Sequence, residues 1–85
     1  MSKFAKLVKE ELKRARAKHP EPLNSVHESY AVIMEELDEF WDEAKGQNTT
    51  RSNSVMLAEL VQVAAMCQRA AEDVLHSESL VIGMI

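Results

Sequence analysis

The sequence predicts an all-α protein of three helices that assembles with a partner subunit into a helical bundle. Two glycines and two prolines among 85 residues leave few positions that would break a helix, and no stretch alternates apolar and polar residues as a strand would. The third predicted helix is apolar on nearly all of its faces, which is more than one short chain can cover. We therefore expect a homodimer or a dimer of dimers, in which helices of different subunits share a core.

The first two helices have well-defined predicted ends. Apolar residues recur at helical spacing over residues 3–18, and the segment 19–22 ends this helix because its two prolines cannot continue one. The second helix is predicted over residues 25–45, since Ser25 and Glu28 form the S-x-x-E pattern of a capping box. The most acidic part of the chain therefore lies within a single helix.

The third helix is predicted over residues 54–75, after a polar loop that begins at Gly46, a residue suited to the left-handed position that follows a helix. The final residues, 80–85, are again apolar. Three interpretations of this tail remain open: a short strand, a segment docked on a neighbour, or a frayed end. The whole chain, residues 1–85, is expected to form one domain.

Composition and charge argue against several classes of protein. The formal net charge is −4, so nucleic acid is not an expected partner. No apolar run approaches the ~20 residues of a membrane-spanning helix, and the charged residues near the N-terminus argue against a signal peptide. Cys67 is the only cysteine, which fits a reducing, cytoplasmic location.

The most informative segment is 35–43, in which carboxylates alternate with bulky apolar residues. At about 100° per residue, Glu36, Glu39 and Glu43 share one stripe of the second helix, beside an apolar stripe that includes Trp41. Carboxylates that converge beside a packed face repel one another unless a cation neutralises them, and oxygen ligands favour Mg²⁺ or Mn²⁺. We therefore predict a divalent metal site here, with a solvated acidic surface as the alternative.

A polar stripe on the third helix is expected to face these acids. Glu59 lies within apolar sequence, where a carboxylate is costly unless it is paired or bound to a metal, and Gln62 follows one turn later. Arg69 could bind an anionic group through its guanidinium fork, with Asp73 holding the fork in place. A purely structural ion pair between Arg69 and Asp73 is the alternative. Acids beside an arginine suggest a phosphate ligand bound through a metal ion.

Three further side chains have candidate roles beside this site. Glu35 could accept a proton from an attacking water, and Glu43 could orient that water or add negative charge. Trp41 is interpreted either as a core residue or as a platform on which a nucleobase stacks.

The pattern E-E-x-x-E on one helix, followed by E-x-x-D on the next, resembles the MazG-like all-α nucleoside triphosphate pyrophosphohydrolases. Glu35, Glu36 and Glu39 match the first half of the pattern. The second half is matched at Glu59, and Gln62 stands in the position of its Asp. The resemblance, which covers more than half of the chain, implies Mg²⁺-dependent hydrolysis of nucleoside triphosphates, often non-canonical ones, to a nucleoside monophosphate and pyrophosphate.

The same resemblance implies roles for individual residues. Glu36, Glu39 and Glu59 would be metal ligands, and Glu35 would be a ligand or the residue that orients the water. Gln62 can also offer an amide oxygen, although it brings no negative charge and cannot act as a base. An alternative function therefore stays open: a catalytically weakened relative that binds a nucleotide, or a helical oligomerisation protein.

Overall fold

The computed structural model describes residues 1–46 and 53–75, and within these ranges the chain is helical and contains no strand. The helices are α1, Lys3–Lys18; α2, Val26–Ala44; and α3, Asn53–Asp73. The predicted all-α class and the order of three helices are confirmed. The apolar tail, for which three interpretations were open, lies outside the described residues.

Short-range hydrogen bonds define where α1 and α2 begin. The Ser2 hydroxyl accepts the N–H of Ala5 at 3.0 Å and caps α1. The Ser25 hydroxyl accepts the N–H of Glu28 at 3.0 Å, and the Glu28 carboxylate accepts the N–H of Asn24 at 2.6 Å. The second bond reaches one residue further back than in the standard capping box, yet it satisfies a free donor at the helix start in the same way.

The end of α2 follows the predicted rule. Gly46 has a φ of +73°, the left-handed conformation that an L side chain rarely adopts. Its N–H donates to the carbonyl oxygen of Glu43 at 3.1 Å, so a carbonyl that the helix would leave unpaired is satisfied.

The third helix is the centre of the fold. Within the described ranges, α3 packs on both α1 and α2, whereas α1 and α2 do not pack on each other. The buried core lies mainly between α1 and α3, and α2 adds half-buried side chains to it. The core residues are Val8, Leu12 and Ala15 of α1 and Val61, Ala65 and Met66 of α3, with Val32 and Ile33 of α2 against them.

The face that α2 turns toward α3 carries polar as well as apolar residues. Trp41, which the sequence assigned to the apolar stripe of α2, is exposed in this chain, as is Leu37 on the same stripe. Ser29 is buried instead, and Glu36 lies partly buried on the same inward face. Glu36 therefore lies on the inner side of α2, next to the exposed Glu35 and Glu39. An outer apolar stripe is exposed and consists of Val26, Tyr30, Leu37 and Trp41.

No helix among the described residues is long and apolar enough to cross a membrane.

Candidate metal centre and adjoining groove

Three glutamates of α2 converge at the middle of the helix. Glu35, Glu36 and Glu39 each offer a carboxylate oxygen, and these three oxygens lie within 4.8 Å of one another. Glu36 and Glu39 are three residues apart and so lie on the same side of the helix, while Glu35 reaches the group from the adjacent edge. The spacing matches a set of side chains that could surround one cation.

Glu59 of α3 joins these residues from the opposite helix. The carboxyl groups of Glu59 and Glu39 are close enough to share a hydrogen bond, which requires that one of them be protonated. The charge of Glu43 helps to raise the pKa of Glu59, and the charge of Glu59 helps to raise the pKa of Glu36. Below, the acid cluster means Glu35, Glu36, Glu39 and Glu59.

Two oxygens of the acid cluster are buried without a partner. Glu36 Oε2 and Glu59 Oε2 are both shielded from water, and neither accepts a hydrogen bond. A buried carboxylate oxygen with no donor is costly, and native proteins rarely leave one. A divalent cation would satisfy an oxygen of this kind, and carboxylate oxygens are ligands that suit Mg²⁺ or Mn²⁺.

The pKa shifts of two glutamates in the cluster also favour a bound cation. Burial, followed by the charges of Glu39 and Glu59, raises the pKa of Glu36 above its ordinary value. Burial and the proximity of Glu39 raise the pKa of Glu59. Each shift arises because the charged form is desolvated and repelled by like charges, which is the situation that a bound cation would reverse.

A groove of about 660 Å³ adjoins the acid cluster. Because α1 and α2 do not pack on each other, the space between them stays open above α3. We call this space the inter-helix groove. Glu35 and Glu36 line its α2 side, and Gln62 lies on its α3 floor. Its volume lies within the range of about 300–1,000 Å³ that is usual for small-molecule sites.

Helix α1 supplies the opposite wall of the groove with charged residues. Glu11 and Arg14 form a two-bond pair, in which Nε donates to Oε1 at 3.0 Å and Nη2 to Oε2 at 2.6 Å. The hydrogen bond to Glu11 raises the pKa of Arg14, and the charge of Glu36 adds to this effect. Lys18 lines the same wall one helical turn further along. Two cations thus line the α1 side of the groove.

Arg69 and Asp73 form the ion pair that the sequence predicted, with Nε donating to Oδ2 at 3.3 Å. Arg69 is buried, and its Nη2 also donates to the carbonyl oxygens of His19 at 2.5 Å and Glu21 at 2.8 Å. Most of its donors are therefore committed to the chain itself, although the residue also lines the inter-helix groove. This arrangement favours the structural alternative over direct phosphate binding.

Trp41 lies apart from the groove. It is exposed on the outer apolar stripe, and Lys45 Nζ lies 5.7 Å from its ring centroid. Trp41 does not line the inter-helix groove of this chain. A stacking role for Trp41 would require a ligand that reaches the outer side of α2.

The sequence suggested that lysines of α1 could neutralise phosphates, but Glu11 and Arg14 were not singled out. Glu11, Arg14 and Lys18 recur at helical spacing with Leu7, along the border of the apolar face of α1. Charged residues at such a border lie where a groove can open. The helical spacing of these residues is visible in the sequence, but nothing in the pattern indicates that α1 and α2 stand apart.

The chain matched no protein-family model, and no curated protein and no solved structure matched it significantly.

Proposed function

We propose that this protein is a Mg²⁺-dependent nucleoside triphosphate pyrophosphohydrolase that resembles the MazG-like enzymes. The observation that carries the proposal is the presence of buried, unpartnered oxygens on Glu36 and Glu59, of which Glu36 lines a groove of ligand size. The E-E-x-x-E pattern supports the choice of reaction, because the matching residues are the ones that converge.

In this proposal the acid cluster holds the metal ion. Glu36, Glu39 and Glu59 are its carboxylate ligands, and Gln62 offers an amide oxygen from the groove floor. The bound ion supplies charge neutralisation for phosphate oxygens and lowers the pKa of a water molecule. Arg14 and Lys18, which line the groove opposite the acids, neutralise further phosphate charge.

The chemical step needs a group that accepts a proton. Water attacks the phosphorus that joins the monophosphate to the leaving pyrophosphate, and its proton passes to Glu35. The exposed position of Glu35 leaves it able to exchange that proton with solvent. Glu43, on the same stripe one turn beyond Glu39, is the second candidate for orienting the water.

The proposed assembly is a homodimer or a dimer of dimers. The outer apolar stripe of α2 supports it, because four large apolar side chains are exposed along one side of a single helix. A second copy of the chain that packs on this stripe would bury them and bring Trp41 into an interface, where aromatic residues are common.

A metal titration tests the proposal first. Mg²⁺ or Mn²⁺ should raise the melting temperature of the wild type, and Glu59→Gln should abolish the increase because a ligand charge is lost. Asp38→Asn is the matched control: it removes one exposed carboxylate from α2 outside the acid cluster and should leave the increase intact. A wild type that does not respond to either metal would contradict the proposed site.

Activity is tested by pyrophosphate release from a panel of nucleoside triphosphates, including non-canonical ones. Glu36→Ala/Glu39→Ala should reduce the rate by about 10²-fold or more, since removal of charge stabilisation at the reacting centre has effects of this size. An unchanged rate in this double variant would rule out the mechanism.

Gln62 favours the second candidate function, a weakened relative that binds nucleotide without efficient turnover. An amide on the groove floor leaves the site one charge short of the pattern that it resembles. Under this alternative, the wild type binds Mn²⁺ and nucleotide but releases pyrophosphate slowly, and Gln62→Asp increases both metal affinity and turnover. If Gln62→Asp lowers turnover instead, Gln62 belongs to a working site.

A further inference from the structure

The segment between α1 and α2 takes its shape from α3. This linker, residues 19–25, has no regular secondary structure and contains two prolines. Arg69 donates to the carbonyl oxygens of His19 and Glu21, and the Asp73 carboxylate accepts the N–H of Leu23 at 3.1 Å. These bonds hold three linker residues to the end of α3. We call Arg69 and Asp73 the clamp.

The clamp is buried and held from several directions. The Arg69 residue is 4% exposed, and Asp73 also accepts from Arg16 Nη1 at 2.9 Å. Burial acts to raise the pKa of Asp73, yet the hydrogen bonds from Leu23, Arg16 and Arg69 together hold it below its ordinary value. Charge-assisted bonds in a shielded place are strong, so the linker cannot shift without breaking costly contacts.

The linker forms one end of the inter-helix groove. Pro20, Pro22 and Leu23 give that end an apolar surface, beside the charged residues Lys18, Glu21 and Glu28. The opposite end contains the acids and Arg14. Gln62 and Arg69 mark the two ends on α3, and seven residues of helix separate them by about 10 Å. The apolar linker residues therefore line the end of the groove that lies away from Glu35 and Glu36.

We propose that the clamp is a positioning device for ligand binding. It holds the linker as the wall that receives the nucleoside part of a nucleotide whose phosphates bind at the acid end. Arg69 and Asp73 act through the linker in this role, without touching the phosphates. The inference rests on the proposed function, because it takes the acid end as the phosphate site.

Binding of two ligands distinguishes the role of the linker end from that of the acid end. The ligands are inorganic triphosphate and a non-hydrolysable α,β-methylene nucleoside triphosphate, each titrated with Mg²⁺ present. Arg69→Lys keeps the positive charge but loses the fork that bridges two carbonyls. We expect it to weaken binding of the nucleotide analogue by about tenfold, the order of effect of losing a preorganised wall, and to leave the affinity for inorganic triphosphate within about twofold.

A second variant tests the role of the linker in ligand binding without changing a buried charged residue. Pro22→Gly lies on the exposed linker and adds backbone freedom there. It should likewise weaken the analogue and spare inorganic triphosphate. Glu72→Gln is the matched control, because it removes the neighbouring Arg16–Glu72 ion pair without a contact to the linker, and both affinities should be unchanged.

The outcomes distinguish this inference from the function on which it depends. A wild type that binds neither ligand overturns the proposed function and the positioning role together. A wild type that binds both ligands, with Pro22→Gly weakening both equally or neither, overturns the positioning role alone. If Arg69→Lys does not fold, the ratio of the two affinities in Pro22→Gly decides the question.

Discussion

At the scale of single residues, the main feature is a pair of glutamates that are partly buried, which is unusual for carboxylates in a small protein. Glu36 and Glu59 each bring one oxygen into a shielded position without a donor. Desolvation and like charges both oppose the ionisation of such a carboxylate, so the pKa of each glutamate is raised. The metal-free protein is therefore strained at neutral pH by the residues that would bind the metal.

This strain predicts an unusual pH dependence of the metal-free protein. The folded pKa values of Glu36 and Glu59 lie above the ordinary value of 4.5. The folded state therefore binds more protons than the unfolded state above that pH, and the free energy of unfolding should fall as the pH rises from 4.5 toward each folded pKa. Urea unfolding over this range, with a chelator present, measures the slope.

Glu59→Gln should flatten that slope and raise the free energy of unfolding at neutral pH by about 1 kcal/mol or more, because a buried charge is removed. Asp38→Asn, on the exposed side of the same cluster-bearing helix, should leave the slope unchanged. Asp73 does not obscure the result: its lowered pKa gives stability that is lost only as the pH falls below its ordinary value of 3.8. A metal-free wild type that gains stability toward neutral pH would contradict this account.

The convergence of the acids could be predicted only in part from the sequence, and their neighbours could not be predicted. Helical periodicity aligned Glu36, Glu39 and Glu43 and marked Glu59 as an acid in apolar surroundings. The oxygens that converge on α2 instead belong to Glu35, Glu36 and Glu39. The role of Arg69 was undecided, because its partners include backbone carbonyls that are some fifty residues away in sequence. No local pattern encodes a contact of that kind.

At the scale of helices, the ends were more predictable than the faces. Ser25 and Gly46 act on backbone groups within a few residues of themselves, so their effects follow from local chemistry. The packing face of α2 depends instead on which neighbours compete for it. The apolar pattern favoured the side of Leu37 and Trp41, but α3 packs against the side that carries Ser29 and Glu36.

The end of α2 allows a quantitative prediction. Gly46→Ala should lower the free energy of unfolding by about 1 kcal/mol, because the φ of +73° is unfavourable for any side chain. Among the described residues, no atom beyond its chain neighbours lies within 4 Å of the added Cβ, so the cost comes from the backbone and not from a clash. Gly46→Asn should cost less, since asparagine tolerates this conformation. Chemical denaturation measures both variants, and an equal loss in the two would show that backbone conformation is not the cause.

At the scale of the whole molecule, the main feature is the exposed apolar stripe of α2. The outer apolar stripe lies along α2, opposite the side that carries the acids. A chain that kept these residues exposed would present a hydrophobic ridge to solvent, which monomeric proteins usually avoid. A partner that covered the ridge would leave the inter-helix groove accessible.

Sedimentation of the intact protein tests this assembly. The wild type should sediment as a dimer or tetramer, and Leu37→Gln/Trp41→Gln should sediment as a smaller species because the apolar contact is lost. Leu75→Gln is the matched control: Leu75 and Trp41 are each 56% exposed, but Leu75 lies beyond the end of α3 and outside the stripe. A wild type that remains monomeric at every concentration would contradict the proposed assembly.

The separation of α1 from α2 has a consequence for how such a protein can diversify. Both helices are secured by α3, so neither packed interface depends on the width of the gap between them. Changes in linker length or linker side chains can therefore reshape the cavity while the hydrophobic core stays as it is. The residues of the hydrophobic core and the residues that line the groove can therefore vary independently. A three-helix chain of this kind can change the shape of its groove without changing its core.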